Sequence, residues 1–374
     1  MTSQQAVSAE PVEVPEKARE AANPRLVGSR SARWGLVALL VLIVAFPMNF
    51  GDTYWLGVLN ATGTAAIAAV GLNVLTGYAG QISLGHAFFV SVGAFTTQYV
   101  GGTMGLPMVV WLPAAALAGG ICGALVAPFA LRLKGPYLAI VSLGLVFLGI
   151  FLGRNLPSIT GGNEGTVVSA RATLGPIDFE QLQLGSIYFL REQSLFILIW
   201  GCLALVLLFT ANVMRTRGGR AMQAVRDHDM AAEVLGVRMM RTQANAFILS
   251  TAIAGLAGGL LAVNLQYIRP DNFDVNLSVQ YLAIIVIGGL GSTFGPVLGA
   301  IFVSMVPVLV DNFSDKLPFM GTPGSDGLST TDLNLILYGS LIVAFLLLES
   351  KGLVALLGRA RRALQARRSV ANPA

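Results

Sequence analysis

The chain has 374 residues, of which 55% are hydrophobic and 11% are charged, and its formal net charge is +5. Soluble domains carry about 25% charged residues. Residues 53–131 and 275–310 contain no Asp, Glu, Lys or Arg, and about 20 apolar residues suffice for one helix to cross a bilayer. This composition excludes a soluble domain and predicts an all-α polytopic membrane protein.

The polar, Glu-rich residues 1–33 predict a cytoplasmic tail and not a cleaved signal peptide, because they lack a cationic n-region. Ten membrane spans are predicted near residues 34–50, 54–76, 81–100, 107–131, 136–153, 193–214, 242–268, 277–290, 296–310 and 333–348. The eighth is short enough to be a broken or re-entrant segment. A basic cytoplasmic tail, 351–374, follows the last span.

The distribution of basic residues supports ten spans with both termini in the cytoplasm. In this topology 19 of the 24 Lys and Arg residues lie inside, and the five outside are Arg154, Arg171, Arg191, Arg269 and Lys316. The cytoplasmic excess follows the positive-inside rule. The largest external loop is then 154–192, and the largest internal cytoplasmic loop is 215–241. Spans 2–5 begin outside and spans 7–10 begin inside, as an inverted repeat would.

The loop at 215–241 holds six arginines between two uncharged apolar spans. A topology anchor alone would explain this charge. The loop also carries two short apolar groups at helical spacing, which are Ala221, Met222 and Val225, and then Ala231, Val234 and Leu235. Either Asp227 or Asp229 is suited to cap the second helix, and Gly236 stands where a helix ends. Because the loop is predicted to contain an amphipathic helix, the sequence favours a role in docking a partner over a role as a topology anchor alone.

Two glycine-interrupted stretches, GYAGQISLGH at 77–86 and GGLGSTFGP at 288–296, occur within apolar sequence. A membrane tolerates such breaks only where protein or water satisfies the backbone, so the stretches are either parts of a translocation path or places of close helix packing. A third stretch, TGGNEG, opens the external loop as an entry element or a plain turn. The path candidates are Gly80, Gln81, Ser83, His86, Thr160, Gly161, Gly162, Gly289, Gly291 and Ser292.

The sequence offers few residues in patterns typical of a catalytic site. The two cysteines lie in apolar runs and predict neither a disulfide nor a metal site. His86 has no carboxylate in its span, which favours a structural or path-lining role over a proton relay. No paired carboxylates or nucleophile–base motif indicates an enzyme. Because the net positive charge follows membrane topology, it does not indicate nucleic-acid binding.

Several stretches together carry a resemblance to a known family. RDHDMAAEVLGV at 226–237, followed by an apolar span containing AGLAGG, resembles the coupling loop of permeases of branched-chain amino-acid ABC importers, the LivM/LivH family. GLNVLTGYAGQISLGHAFFVSVGAF (71–95), GPYLAIVSLGLVFLGI (135–150) and AIIVIGGLGSTFGPVLGA (283–300) are also similar to this family. The likeness runs from about residue 60 to 312. Met230 stands where the broader ABC-permease pattern has a glutamate.

The resemblance implies that residues 34–350 form an ABC permease domain in a bacterial plasma membrane. It implies a second homologous permease, two cytosolic ATPases and an external binding protein as partners, and Leu, Ile, Val or related small amino acids and amides as cargo. The residues expected to couple to the ATPase are Arg226, Asp227, Asp229, Ala231, Ala232, Glu233 and Gly236. The sequence contains no G-x-x-x-x-G-K-[ST] phosphate loop, so ATP and magnesium are expected on the partners and no cofactor on this chain.

An ion-coupled secondary transporter of a small neutral or zwitterionic solute is the alternative, because such carriers also use about ten spans and broken helices. They usually place ionisable groups inside the membrane. His86 is the one such group in the long apolar runs. The sequence therefore favours the permease.

Overall fold

The computed structural model describes residues 43, 45–47, 52–130, 136–175, 177–180, 182–184, 187–313, 336–337, 339–340, 343–344 and 352–354. The predicted spans at 34–50 and 333–348 lie mostly outside the described residues. The same holds for the two predicted cytoplasmic tails.

The described chain is built mainly from helices. In chain order they are α1 (Thr53–Asn73), α2 (His86–Thr97), α3 (Met108–Ala130), α4 (Pro136–Asn155), α5 (Pro157–Thr160), α6 (Arg191–Arg215), α7 (Arg217–Asp227), α8 (Asp229–Val234), α9 (Met239–Leu265), α10 (Val275–Gly288) and α11 (Gly295–Phe313). Two π-helical segments, Val74–Tyr78 and Gln98–Thr103, continue α1 and α2. The predicted all-α membrane architecture is confirmed.

Five helices of the described residues are long and apolar enough to cross a membrane: Thr53–Tyr78, Met108–Phe129, Tyr137–Asn155, Arg191–Arg215 and Met239–Leu265. They coincide with the predicted second, fourth, fifth, sixth and seventh spans. The first begins at a capped end, because the Asp52 carboxylate accepts a hydrogen bond of 3.0 Å from the backbone N–H of Tyr54. An aspartate at this position satisfies one of the free N–H groups of the first turn.

The span predicted at 81–100 is helical over only part of its length. Residues 81–85 are not helical, and α2 begins at His86. The backbone N–H of Leu84 donates to Ser142 Oγ of α4 at 2.8 Å, and the N–H of Gln81 donates to the carbonyl of Leu75 at 3.1 Å. These residues lie in the glycine-interrupted stretch 77–86, where a break was predicted, and Leu75 and Ser142 accept hydrogen bonds from its backbone.

Helices α10 and α11 form a tight hairpin at the positions of the predicted eighth and ninth spans. Helix α10 has 14 residues, fewer than the roughly 20 that a full crossing needs. The apolar part of α11, Gly295–Val308, is also short. Their backbones lie so close that a Cβ at Gly288 would overlap the carbonyl of Gly295. The predicted short eighth segment is therefore followed by a backbone break and a returning helix.

Helix α9 lies at the centre of the bundle and packs against α1, α2 and α3. Gly255, in the AGLAGG stretch, allows this packing. A Cβ at Gly93 of α2 would overlap the Gly255 carbonyl, and a Cβ at Gly255 would lie 3.1 Å from the Cα of Gly119 in α3. Small residues permit such close approach of membrane helices. The buried rings of Phe89 and Phe247 then meet edge to face at 5.6 Å.

The predicted external loop is tied to the end of α9. Strand β1 (Thr166–Val167) pairs antiparallel with β6 (Tyr267–Ile268). Two local hairpins, β2 (Thr173–Leu174) with β3 (Ile177–Asp178) and β4 (Gln183–Leu184) with β5 (Ile187–Tyr188), lie between β1 and α6. Arg154 and Asp271 add an ion pair of 2.7 Å, with both side chains about half exposed. The loop is thus held to the bundle by two kinds of contact.

Candidate coupling and translocation site

The arginine-rich loop folds into two helices, as its apolar spacing predicted. Met222 and Val225 of α7 are buried. Helix α7 continues through Asp227, and the non-helical residue at the start of α8 is His228. The predicted cap by Asp227 or Asp229 is therefore wrong. Asp229 is already within α8, and its carboxylate accepts a hydrogen bond of 2.8 Å from the adjacent N–H of Met230.

Helix α8 presents an apolar face to the surroundings. Met230, Val234 and Leu235 are 80%, 87% and 83% exposed. The neighbouring Ala231 and Glu233 are also exposed, as are Asp227 and Asp229. Ala232 alone of this helix is buried. Burying a large apolar side chain contributes about 1.5–3 kcal/mol, so this face is a candidate docking surface. Gly236, with a positive φ of 84°, follows α8 as predicted.

Arg226, one of the predicted coupling residues, is directed toward the bundle. Its Nη1 donates to the carbonyl of Gly77 at 2.7 Å. Gly77 belongs to the π-helical end of the first long helix. The Nε and Nη2 atoms of Arg226 lie 2.9 and 2.8 Å from Asp227 Oδ1. The side chain therefore joins the loop to the first glycine-interrupted stretch.

The two glycine-interrupted stretches meet at this point. Asn73 Nδ2 donates to the carbonyl of Ser292 at 2.8 Å, and Asn73 Oδ1 accepts from the N–H of Gly291 at 2.9 Å. Tyr78 and Thr293 share a hydroxyl contact of 3.3 Å. The structure thus brings together Gly80, Gly291 and Ser292, three of the predicted path residues, around Asn73 and Gly77.

Sequence reasoning did not select Asn73, Tyr78 or Thr293. Asn73 offered a signal, since it is an amide in an apolar helix and is 2% exposed. A buried amide requires hydrogen-bond partners, and here they come from more than 200 residues further along the chain. No local pattern indicates those partners.

The remaining path candidates of the first stretch are buried inside the bundle. Gln81, Ser83 and His86 are each less than 9% exposed. His86 Nε2 lies 2.8 Å from the carbonyl of Ala68, and its ring meets Tyr281 edge to face at 6.0 Å. These contacts agree with a hydrogen-bonded, structural histidine.

Thr160, Gly161 and Gly162 lie apart from the other path candidates. The Thr160 hydroxyl donates to the carbonyl of Gly153, near the C-terminal end of α4. Ser142 of α4, by contrast, contacts Leu84. At 1.5 Å per residue, Ser142 and Gly153 are about 17 Å apart along the helix. The TGGNEG stretch forms a turn with positive φ at Gly161, Gly162 and Gly165.

Within the described residues, the bundle of long apolar helices with two broken segments and an exposed amphipathic loop is that of a polytopic membrane protein. The family described as branched-chain amino acid transport system / permease component matches residues 54–346. The chain belongs to this family, and it is a multi-pass protein of the bacterial inner membrane.

Individual relatives carry different names. The high-affinity branched-chain amino acid transport system permease protein LivM of Escherichia coli K12 is 34% identical over 293 residues, which are 75% of this chain and 69% of LivM. The fructose import permease protein FrcC of Rhizobium meliloti is 28% identical, over 77% of this chain and 78% of FrcC. The autoinducer 2 import system permease protein LsrC of Escherichia coli O9:H4 is 28% identical, over 72% and 78%. No solved structure matches the chain.

Proposed function

We propose that this chain is the membrane-spanning permease subunit of an ABC importer that works by ATP-driven alternating access. The observation that carries the proposal is the surface of α8 and of the residue that follows it, which exposes Met230, Val234 and Leu235 on the predicted cytoplasmic side. The chain has no phosphate loop of its own. A transport protein that is driven by ATP but lacks such a loop requires an ATPase partner, and α8 offers the apolar surface for it.

The proposed complex contains two cytosolic ABC ATPases, a second homologous permease in a heterodimer, and an extracytoplasmic binding protein. ATP and magnesium belong to the ATPases in this arrangement, and this chain hydrolyses nothing. Family membership supports these partners. The helices Met108–Phe129 and Tyr137–Asn155 have only 28% and 22% of their apolar segments buried within the chain, which leaves broad apolar faces for lipid and for a second permease.

The proposed cargo is a branched-chain amino acid, Leu, Ile or Val. The name of the LivM relative supports this class. The relatives named for fructose and autoinducer 2 import show that permeases of related sequence are associated with other solutes. Ser83, Gly291 and Ser292, which belong to the two glycine-interrupted stretches, are small or weakly polar, which suits a small solute with an apolar side chain. Related small amino acids and amides are competing cargoes.

The ten-span topology with both ends inside is tested by thiol labelling. Cys122 and Cys202 are first replaced by Ala, and single cysteines are then introduced at Tyr188 and Arg220, two exposed positions. We expect an impermeant maleimide to label Tyr188→Cys in intact cells and Arg220→Cys only after permeabilisation. The topology is wrong if Arg220→Cys is labelled from outside.

The energy source distinguishes an ABC permease from an ion-coupled carrier. In vesicles that contain the full complex, we expect uptake to require ATP and the binding protein and to survive collapse of the proton and sodium gradients. His86→Gln is expected to retain uptake within a few-fold, because glutamine keeps a hydrogen-bond donor and acceptor. Uptake by this chain alone without ATP, lost in His86→Gln, would support a proton-coupled carrier instead.

A further inference from the structure

The Arg226 guanidinium is fixed in one orientation by two sets of contacts. On one side, its Nε and Nη2 atoms engage a single carboxylate oxygen of Asp227 at 2.9 and 2.8 Å. On the other side, Nη1 donates to the carbonyl of Gly77 at 2.7 Å. All three guanidinium nitrogens are therefore engaged within the chain. A residue that acted mainly on a partner would direct its donors outward.

Two glycines form the space that Arg226 occupies. A Cβ at Gly80 would lie 3.0 Å from Arg226 Cγ, and a Cβ at Gly291 would lie 2.7 Å from Arg226 Nη1 and 2.9 Å from the Gly77 carbonyl oxygen. Both glycines also have positive φ, 72° in each case, a conformation that other residues rarely adopt. The two glycine-interrupted stretches are far apart in sequence, and each of them places one glycine against the Arg226 side chain.

The point that Arg226 reaches is the junction between the two helix breaks. Asn73 bridges the breaks through hydrogen bonds to the N–H of Gly291 and the carbonyl of Ser292. Gly77, which accepts from Arg226, lies one turn after Asn73, and a Cβ at Gly77 would overlap Asn73 Oδ1. Arg226, Asn73 and Gly291 therefore form one connected group, which we name the Arg226 junction together with Gly77 and Gly80.

We propose that Arg226 is a positioning residue that links α7 of the coupling loop to the two helix breaks. This inference rests on the proposed function and adds the route by which movement of the loop reaches the path. A displacement of α7 either carries the Gly77 carbonyl with it or breaks the Arg226 hydrogen bond. Each outcome changes the packing of both breaks at once, because Asn73 joins them.

The link is suited to reversible motion. The Arg226 side chain is 36% exposed and that of Asp227 is 58% exposed, so water and salt screen their ion pair. The hydrogen bond to Gly77 is a charge-assisted bond to a backbone carbonyl. Asp227 keeps the guanidinium oriented for that bond without burying either charge.

Three variants in the full complex test the proposal: Arg226→Ala, Arg226→Lys and the control Arg220→Ala. Arg220 lies on the same helix and is exposed, so the control removes the same charge away from the junction. We expect Arg226→Ala to lower substrate transported per ATP hydrolysed at least tenfold while the ATPase copurifies at the wild-type ratio. Arg226→Lys should recover part of the loss, because an ammonium group still donates to the Gly77 carbonyl. Arg220→Ala should match the wild type.

A second measurement uses the permease without partners. Hydrogen exchange of the full chain in lipid nanodiscs should accelerate in peptides covering 77–83 and 289–294 for Arg226→Ala and remain at the wild-type rate for Arg220→Ala. Equal exchange and equal coupling ratios for the two variants would overturn the proposal. Loss of ATPase copurification in Arg226→Ala with unchanged exchange would also overturn it and make Arg226 an interface residue. A wild-type permease that copurifies no ATPase refutes the proposed function, whereas the exchange result still decides the junction.

Discussion

Replacing Met230, Val234 and Leu235 together with Asp is expected to abolish uptake while the permease remains in the membrane. Each of these side chains is at least 80% exposed, so the substitutions remove no packing within the chain. If the face docks an ATPase, burial of each native side chain contributes about 1.5–3 kcal/mol to the interface. An unpaired carboxylate in its place must be desolvated without compensation. We expect the ATPase to be lost on copurification and uptake to fall to background.

The control is Tyr188→Asp, which places the same charge at an exposed apolar residue of β5 in the predicted external loop. Tyr188 is 76% exposed. This variant should retain ATPase copurification and uptake. Ala232 is unsuitable for this test, because it is buried and a larger side chain there would disturb the loop itself. Normal ATPase copurification with the triple Asp variant would contradict the docking proposal.

The organisation of the arginine-rich loop at 215–241 was largely predictable because it depends on local spacing. Met222 and Val225 are buried on one face of α7 as their spacing indicated, and Gly236 follows α8 in a positive-φ conformation. The predicted N-cap residue of α8 was wrong by one position, because α7 extends to Asp227 and His228 is the non-helical residue between α7 and α8. The sequence also did not indicate which apolar residues in and after α8 are exposed. Ala232 is buried against the chain, whereas Val234 and Leu235 are exposed.

Contacts between distant segments were not predictable from one sequence. The glycine spacing indicated two breaks, yet nothing local shows that Asn73 bonds Ser292 or that Arg226 bonds Gly77, partners that are 219 and 149 residues apart. In the sequence alone, the six arginines of the loop at 215–241 cannot be distinguished from one another. In the fold, Arg226 is directed toward the bundle. The sequence likewise indicated a break at 77–86 but not that Ser142, in another span, accepts a hydrogen bond from the N–H of Leu84.

The substitution Gly255→Leu is expected to prevent assembly of the helical bundle. Gly255 lies where α9 contacts two helices at once. The carbonyl oxygen of Ala115 and the Cα of Gly119 in α3 occupy the space that its Cβ would need, and Gly93 of α2 lies against its carbonyl. Overpacking a core costs about 1–3 kcal/mol where side chains can shift. Here the obstructing atoms are backbone, so the helices themselves must separate. Folded proteins have only about 5–15 kcal/mol of stability to lose.

The matched control is Gly144→Leu, because Gly144 is also a helical glycine in a long apolar helix but has no atom within 4 Å of its Cβ position. We expect Gly144→Leu to give wild-type yields of monodisperse permease after detergent extraction and a wild-type melting temperature. Gly255→Ala should yield less and melt at a lower temperature, and Gly255→Leu should leave less than a tenth of the monodisperse protein. A single added methyl already meets the Ala115 carbonyl, which is why the alanine variant is expected to show a graded loss. Equal melting temperatures for Gly255→Leu and Gly144→Leu would mean that α9 does not pack against α2 and α3 through this glycine.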